Sequence, residues 1–117
     1  MGLDISFRKV KRTDLSYFRK VNFLVKFFND KYPELKNCYP IDITKEDLFD
    51  LKNRCEEVLH DHTKADKLLP TQDGFFFGSV DYDDDYYKDV QDVLNAVADM
   101  LSIDLANNEN IEFEIWY

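Results

Sequence analysis

Aspartate is the residue of this chain best placed to do chemistry, and five aspartates fall at a suggestive spacing. Asp81, Asp83, Asp85, Asp89 and Asp92 occupy positions 1, 3, 5, 9 and 12 of a calcium loop. Hard cations are held by oxygen donors, so Asp81, Asp83 and Asp85 are candidate metal ligands. Two positions oppose a true calcium loop. Tyr86 stands where the sharp turn needs glycine, and Asp92 stands where a bidentate glutamate is usual. Acids are also expected at a helix start for capping and dipole reasons alone. His60-Asp61-His62, with Asp66 nearby, offers zinc-type donors. Residues i and i+2 of a helix point roughly 200° apart, however, and a histidine at a helix C-terminus is explained by the exposed carbonyls it meets.

A second constellation is basic. Tyr17, Arg19, Lys20 and Asn22 cluster within six residues and suit an anion or carboxylate ligand. The alternative is that they are solvated or tied into surface ion pairs. A third is aromatic: Phe75-Phe76-Phe77 cannot all face one core if they form a strand, because alternate side chains point to opposite faces. Either both faces are covered, or Phe75 and Phe77 mark a partner surface. Gln72 lies beside Gly74 and Gly78, as a ligand-binding amide or as a group that satisfies buried backbone. Inventory excludes more than it suggests. With Gly2, Gly74 and Gly78 as the only glycines there is no P-loop and no dinucleotide fingerprint.

Elements must position these groups, and 117 residues suffice for one α+β domain spanning 1–117. Leu3, Ile5 and Phe7 alternate with polar residues, as do Ile111, Phe113, Ile115 and Tyr117. Both ends read as strands that pair with each other, antiparallel and near the sheet centre, with Arg8 facing Glu112 or Glu114. A helix is predicted from about Asp14 to Asp30, capped by Thr13 or Asp14, with Leu15, Phe18, Val21, Leu24, Val25 and Phe28 on its apolar face. A second starts at the capping box Thr44-Lys45-Glu46-Asp47 and continues to about His62. A third runs from Asp83–Asp85 to about Ser102. Cys38 to Ile43 reads as a short strand or extended loop, Leu68-Leu69-Pro70 as a short helical turn, and Phe75–Phe77 as a short strand. The expected architecture is a small, mainly antiparallel sheet with three main helices packed against it.

The net charge of −9 is unevenly spread. Residues 1–36 carry nine basic and four acidic groups, whereas residues 71–117 carry one basic and twelve acidic. Such a balance disfavours direct nucleic-acid binding, because phosphates are repelled over most of the surface. Cys38 and Cys55 lack any paired spacing and suit a reducing compartment. No apolar run approaches the ~20 residues that span a bilayer, and no signal-peptide block is visible. The expected location is the cytoplasm, with no cofactor and no membrane partner.

Several stretches together resemble a known group. Met1-Gly2-Leu3-Asp4, Tyr17-Phe18-Arg19-Lys20 with Asn22, and Leu68-Leu69-Pro70-Thr71-Gln72 leading into Gly74-Phe75-Phe76-Phe77-Gly78-Ser79 look like the small uncharacterised proteins of bacteriophages and mobile elements. Val25 stands where that pattern carries histidine, so no role of that histidine transfers. The resemblance implies an accessory protein of a bacterial cytoplasm and no particular reaction. Three functional readings follow. The first is a non-enzymatic protein that binds a host or phage protein through an acidic and aromatic surface. The second is a small-ligand or nucleotide-processing enzyme with a site near Arg19, Lys20, Gln72 and Asp81–Asp85, recognisable by a pocket where these groups converge. The third is a divalent-metal-binding module.

Overall fold

The computed structural model describes residues 2–9, 14–74, 77–103 and 110–117. In chain order the elements are β1 (Asp4–Lys9), β2 (Asp14–Arg19), α1 (Asn22–Lys31), β3 (Ile41–Ile43), α2 (Lys45–His60), a 3₁₀ turn at His62–Lys64, α3 (Ala65–Leu68), α4 (Asp84–Leu101) and β4 (Ile111–Trp116). The strands form one antiparallel sheet in the order β2-β1-β4-β3. The fold is α+β, and the two terminal strands are its central pair, as their alternation predicts. Their register sets Ile5 opposite Ile115, Phe7 opposite Phe113 and Arg8 opposite Glu112. This pairing is regular throughout, whereas the other side of β1 carries a bulge.

The predicted first helix is two elements. Its first half is strand β2, and helix begins only at Asn22. A bulge explains why the strand is hidden: Phe7 pairs with Ser16 but Arg8 pairs with Asp14, so the register skips Leu15. The extra residue breaks the period of two and lets both Leu15 and Phe18 reach the core, which imitates helical spacing. The predicted cap Thr13 lies outside the described residues, and the helix starts instead after Val21 without a side-chain cap.

The other helices begin where the sequence signals them. Thr44 caps α2 through a reciprocal box, its hydroxyl accepting from the Asp47 N–H at 3.1 Å while Asp47 accepts from the Thr44 N–H at 3.1 Å. Asp83 caps α4 by accepting from the Tyr86 N–H at 3.0 Å. Leu48, Leu51, Cys55 and Val58 of α2 meet the apolar stripe Tyr86, Val90, Val93, Val97 and Met100 of α4. Phe7, Phe28 and Phe113 form the aromatic centre, with Phe28 and Phe113 ring centroids 4.1 Å apart. Phe23 and Phe27, which widen the α1 stripe, are both buried. Cys38 is exposed, Cys55 is buried and both are free; burial pushes the Cys55 thiol up to about 12, too high for a nucleophile at neutral pH. Among the described residues, no helix is long and apolar enough to cross a membrane.

Candidate functional site

The site is built where β2 hands over to α1. Lys20 makes that turn in the left-handed region, with φ of 60°, while its N–H still donates to the Leu3 carbonyl at 2.8 Å. The extended loop that follows Pro70 lies against this turn, and one buried amide holds it there. Asn22 is only 3% exposed. Its Nδ2 donates to the Phe77 and Ser79 carbonyls at 3.1 and 2.9 Å, and its Oδ1 accepts from the Gln72 N–H at 3.0 Å. Three loop backbone groups are therefore satisfied by one side chain, which fixes the loop against α1. Thr71 closes the same loop by donating its hydroxyl to the Val80 carbonyl at 2.9 Å, and Tyr86 donates to the Leu69 carbonyl at 2.8 Å.

Glycine lies at two close approaches, and at Gly78 the backbone itself calls for it. Gly78 has φ of 87°, and a Cβ there would come within 3.1 Å of the Lys20 Cβ. A Cβ on Gly2 would lie 3.2 Å from the Arg19 guanidinium and 3.3 Å from the Lys20 Cε. The Lys20 stem thus runs beside two bare stretches of backbone, with Arg19 against one of them.

Between these cations and the start of α4 lies a cleft of about 180 Å³. Its lining combines Arg19 and Lys20, from the turn between β2 and α1, with an acidic wall of Asp81, Asp83, Asp85 and Asp89 at the start of α4, and Asn22, Thr71 and Tyr86 line it too. None of these four aspartates is joined to Arg19 or Lys20 by a salt bridge. Burial raises the Asp89 carboxyl above the ordinary aspartate value, and the neighbouring charges of Asp92, Asp85 and Asp83 add to the rise, opposed by Lys88. Lys88 itself is paired with Asp92 at 3.1 Å, on the exposed side of α4. The segment that supplies Ser79, Asp81 and Asp83 to the lining also carries Val80, 41% exposed, and Tyr82, 38% exposed, as a partly apolar lip, with the Tyr82 ring 5.0 Å from that of Tyr86.

The structure therefore brings together Arg19, Lys20, Asn22, Asp81, Asp83 and Asp85, which the sequence proposes in two separate clusters. It separates others. Tyr17 projects from β2 and donates its hydroxyl to Asp4, away from the cleft. Gln72 contributes its backbone N–H to Asn22, so the role of satisfying buried backbone belongs to Asn22 and not to the Gln72 side chain. Phe77 is no partner surface: it is 4% exposed, outside any strand, and packs edge-on to Tyr117 with centroids 4.9 Å apart. Phe75 lies outside the described residues. The calcium-loop reading fails because Asp84 onward is already helical and Asp83 is occupied as its cap. Among the described residues, no group of three or more His, Cys, Asp or Glu side chains is arranged to hold a metal. His62 instead stacks flat on Tyr87 at 3.7 Å.

Thr71, Ser79 and Tyr86 also belong to the cleft and carry no local signal of it, and Asp89, legible as position 9 of the calcium-loop spacing, joins them. Only Asp89 carried a usable signal, since it follows Asp85 by one helical turn and shares its face. No family model, no curated protein and no solved structure matches the chain.

Proposed function

We propose that this chain is a non-enzymatic accessory protein, of the phage and mobile-element kind that its motifs resemble, which binds a host or phage protein at the cleft between α1 and α4. The observation that carries this reading is the acidic wall bordered by an exposed apolar lip. Asp81, Asp85 and Asp89 crowd one side of a concave site, where their mutual repulsion is relieved by a cation. Val80 and Tyr82 beside them supply contact area for the chain that carries it. The preferred occupant is therefore a basic side chain of a partner protein. Nothing of this reading needs a metal or a cofactor.

A panel of immobilised basic, neutral and acidic hexapeptides tests it. Basic peptides are expected to bind, to weaken with added salt, and to lose at least tenfold in affinity against an Asp85→Asn, Asp89→Asn double variant that stays folded. Equal retention of acidic and basic peptides, or of none, contradicts the reading.

A second reading, a small-ligand enzyme in the same cleft, is favoured by the raised carboxyl of Asp89, which suits proton transfer. Size narrows it. Pockets for drug-sized ligands occupy about 300–1,000 Å³, so a cleft of about 180 Å³ suits a residue-sized group better than a nucleotide.

A further inference from the structure

The acidic wall accounts for half of the cleft, and the other half has no use for a cation. Arg19 and Lys20 line the same cleft as the aspartates without closing a salt bridge onto any of them. Among the described residues Lys26, Lys31, Lys52, Arg54 and Lys88 are each paired with a carboxylate, whereas Lys45 donates to the Ile103 carbonyl and Lys36 lies over the Tyr39 ring, so what distinguishes Arg19 and Lys20 is that they share a cleft with aspartates. The two cations also lie beside glycines. The absence of a side chain at Gly2 leaves room for the Arg19 guanidinium, and the absence of one at Gly78 leaves room for the Lys20 stem. A guanidinium and an ammonium side by side are a carboxylate-binding pair, the first by its planar fork and the second as a point charge.

We propose that the cleft captures the C-terminal residue of a partner chain when that residue is lysine or arginine. Its α-carboxylate lies on Arg19 and Lys20, and its side-chain cation reaches Asp81, Asp85 and Asp89. This deepens, and rests on, the binding-module reading above. Three observations select this occupant. The cleft has room for about one residue. Its lining carries cations and carboxylates together, which suits a small group bearing both charges, as a C-terminal lysine does and an internal lysine does not. The exposed Val80 and Tyr82 at the lip give the residues preceding that terminus a surface to lie on, which a free amino acid would leave bare. Capture of a chain terminus by its carboxylate is an established mode of peptide recognition.

Calorimetric titration of the full chain with four probes tests the proposal. The first is a hexapeptide ending in lysine with a free carboxylate, the second its C-terminal amide, the third the same peptide ending in norleucine, and the fourth free L-lysine. The first is expected to bind at least tenfold more tightly than each of the others. In Lys20→Gly, the preference for free carboxylate over amide is expected to shrink several-fold, while the preference for lysine over norleucine survives. Asp85→Asn is expected to do the reverse. Circular dichroism melts of both variants confirm that each is folded. If the amide binds as well as the free acid, the terminal capture is wrong and the basic-partner reading stands. If free lysine binds as well as the peptide, the occupant is an amino acid and the terminal capture is again wrong. If no probe binds, the terminal capture is wrong and the hexapeptide panel decides the basic-partner reading separately.

Discussion

Two regions of this molecule hold charges of both signs and treat them in opposite ways. On the outer side of α1 and α2, Lys31 meets Asp50 at 2.9 Å and Arg54 meets Asp50 at 3.2 Å. The two cations also flank the buried Phe27 ring, at 5.2 and 5.1 Å from its centroid, and Arg54 donates to the Leu68 carbonyl at 3.0 Å. Burial pushes the Asp50 carboxyl up, but the hydrogen bonds and charges of Lys31 and Arg54 overcome it and hold Asp50 below the ordinary value. At the cleft, Arg19 and Lys20 share the lining with four aspartates without a salt bridge to any of them, and Asp89 is held above the ordinary value. The first region satisfies its charges within the fold. The second keeps them apart, an arrangement that costs stability in the free protein and is suited to a ligand that supplies both missing partners.

Substitutions sharpen this contrast, and the largest effect is expected at the support of the cleft. Asn22→Ala leaves two carbonyls and one N–H of the loop without their partner, and should lower stability by about 3 kcal/mol in urea unfolding. Gly78→Ala meets both the left-handed backbone and the Lys20 Cβ, and should cost about 1–2 kcal/mol in the same measurement.

The charge substitutions are smaller and opposite in sign. Asp50→Asn should destabilise by about 0.5–1 kcal/mol near neutral pH, the range of partly exposed ion pairs. Because the folded-state value of Asp50 is depressed, its contribution is present above the ordinary aspartate value and fades as pH falls through the depressed one. Asp89→Asn should raise the melting temperature slightly at neutral pH. Its folded-state value is raised, so the ionised form is the costly one. The advantage of the variant should grow as pH rises through the raised value and vanish below the ordinary one. A melting-temperature series for both variants between pH 3 and 8 would therefore diverge in opposite directions if the two regions differ as described.

Much of this architecture was legible in the residues, for physical reasons that also mark the failures. Alternation at both chain ends announced the central strand pair, and the Thr44–Asp47 box and the Asp83 cap announced α2 and α4 within a residue or two. The β2 bulge was not legible, because one skipped residue converts a strand's period into something close to a helix's. Half of the cleft was visible as a basic cluster and half as an acidic one. Their meeting depends on the loop held by Asn22, whose contacts span about half the chain and leave no local pattern. The Gln72 amide suggests a role that Asn22 performs, since a sequence shows which amides are present but not which one is buried. Phe77 is buried outside any strand, so the alternation argument that would expose one of Phe75–Phe77 does not apply to it.

The most direct test of the central claim is a carbon-13 NMR titration of the Asp89 side chain, run with and without a saturating basic peptide. A cation bound at the acidic wall favours the ionised carboxylate. The account predicts a midpoint above the ordinary aspartate value in the free protein and a clear downward shift when the peptide is present. An Asp89 midpoint that is unmoved by a peptide shown to bind would contradict it.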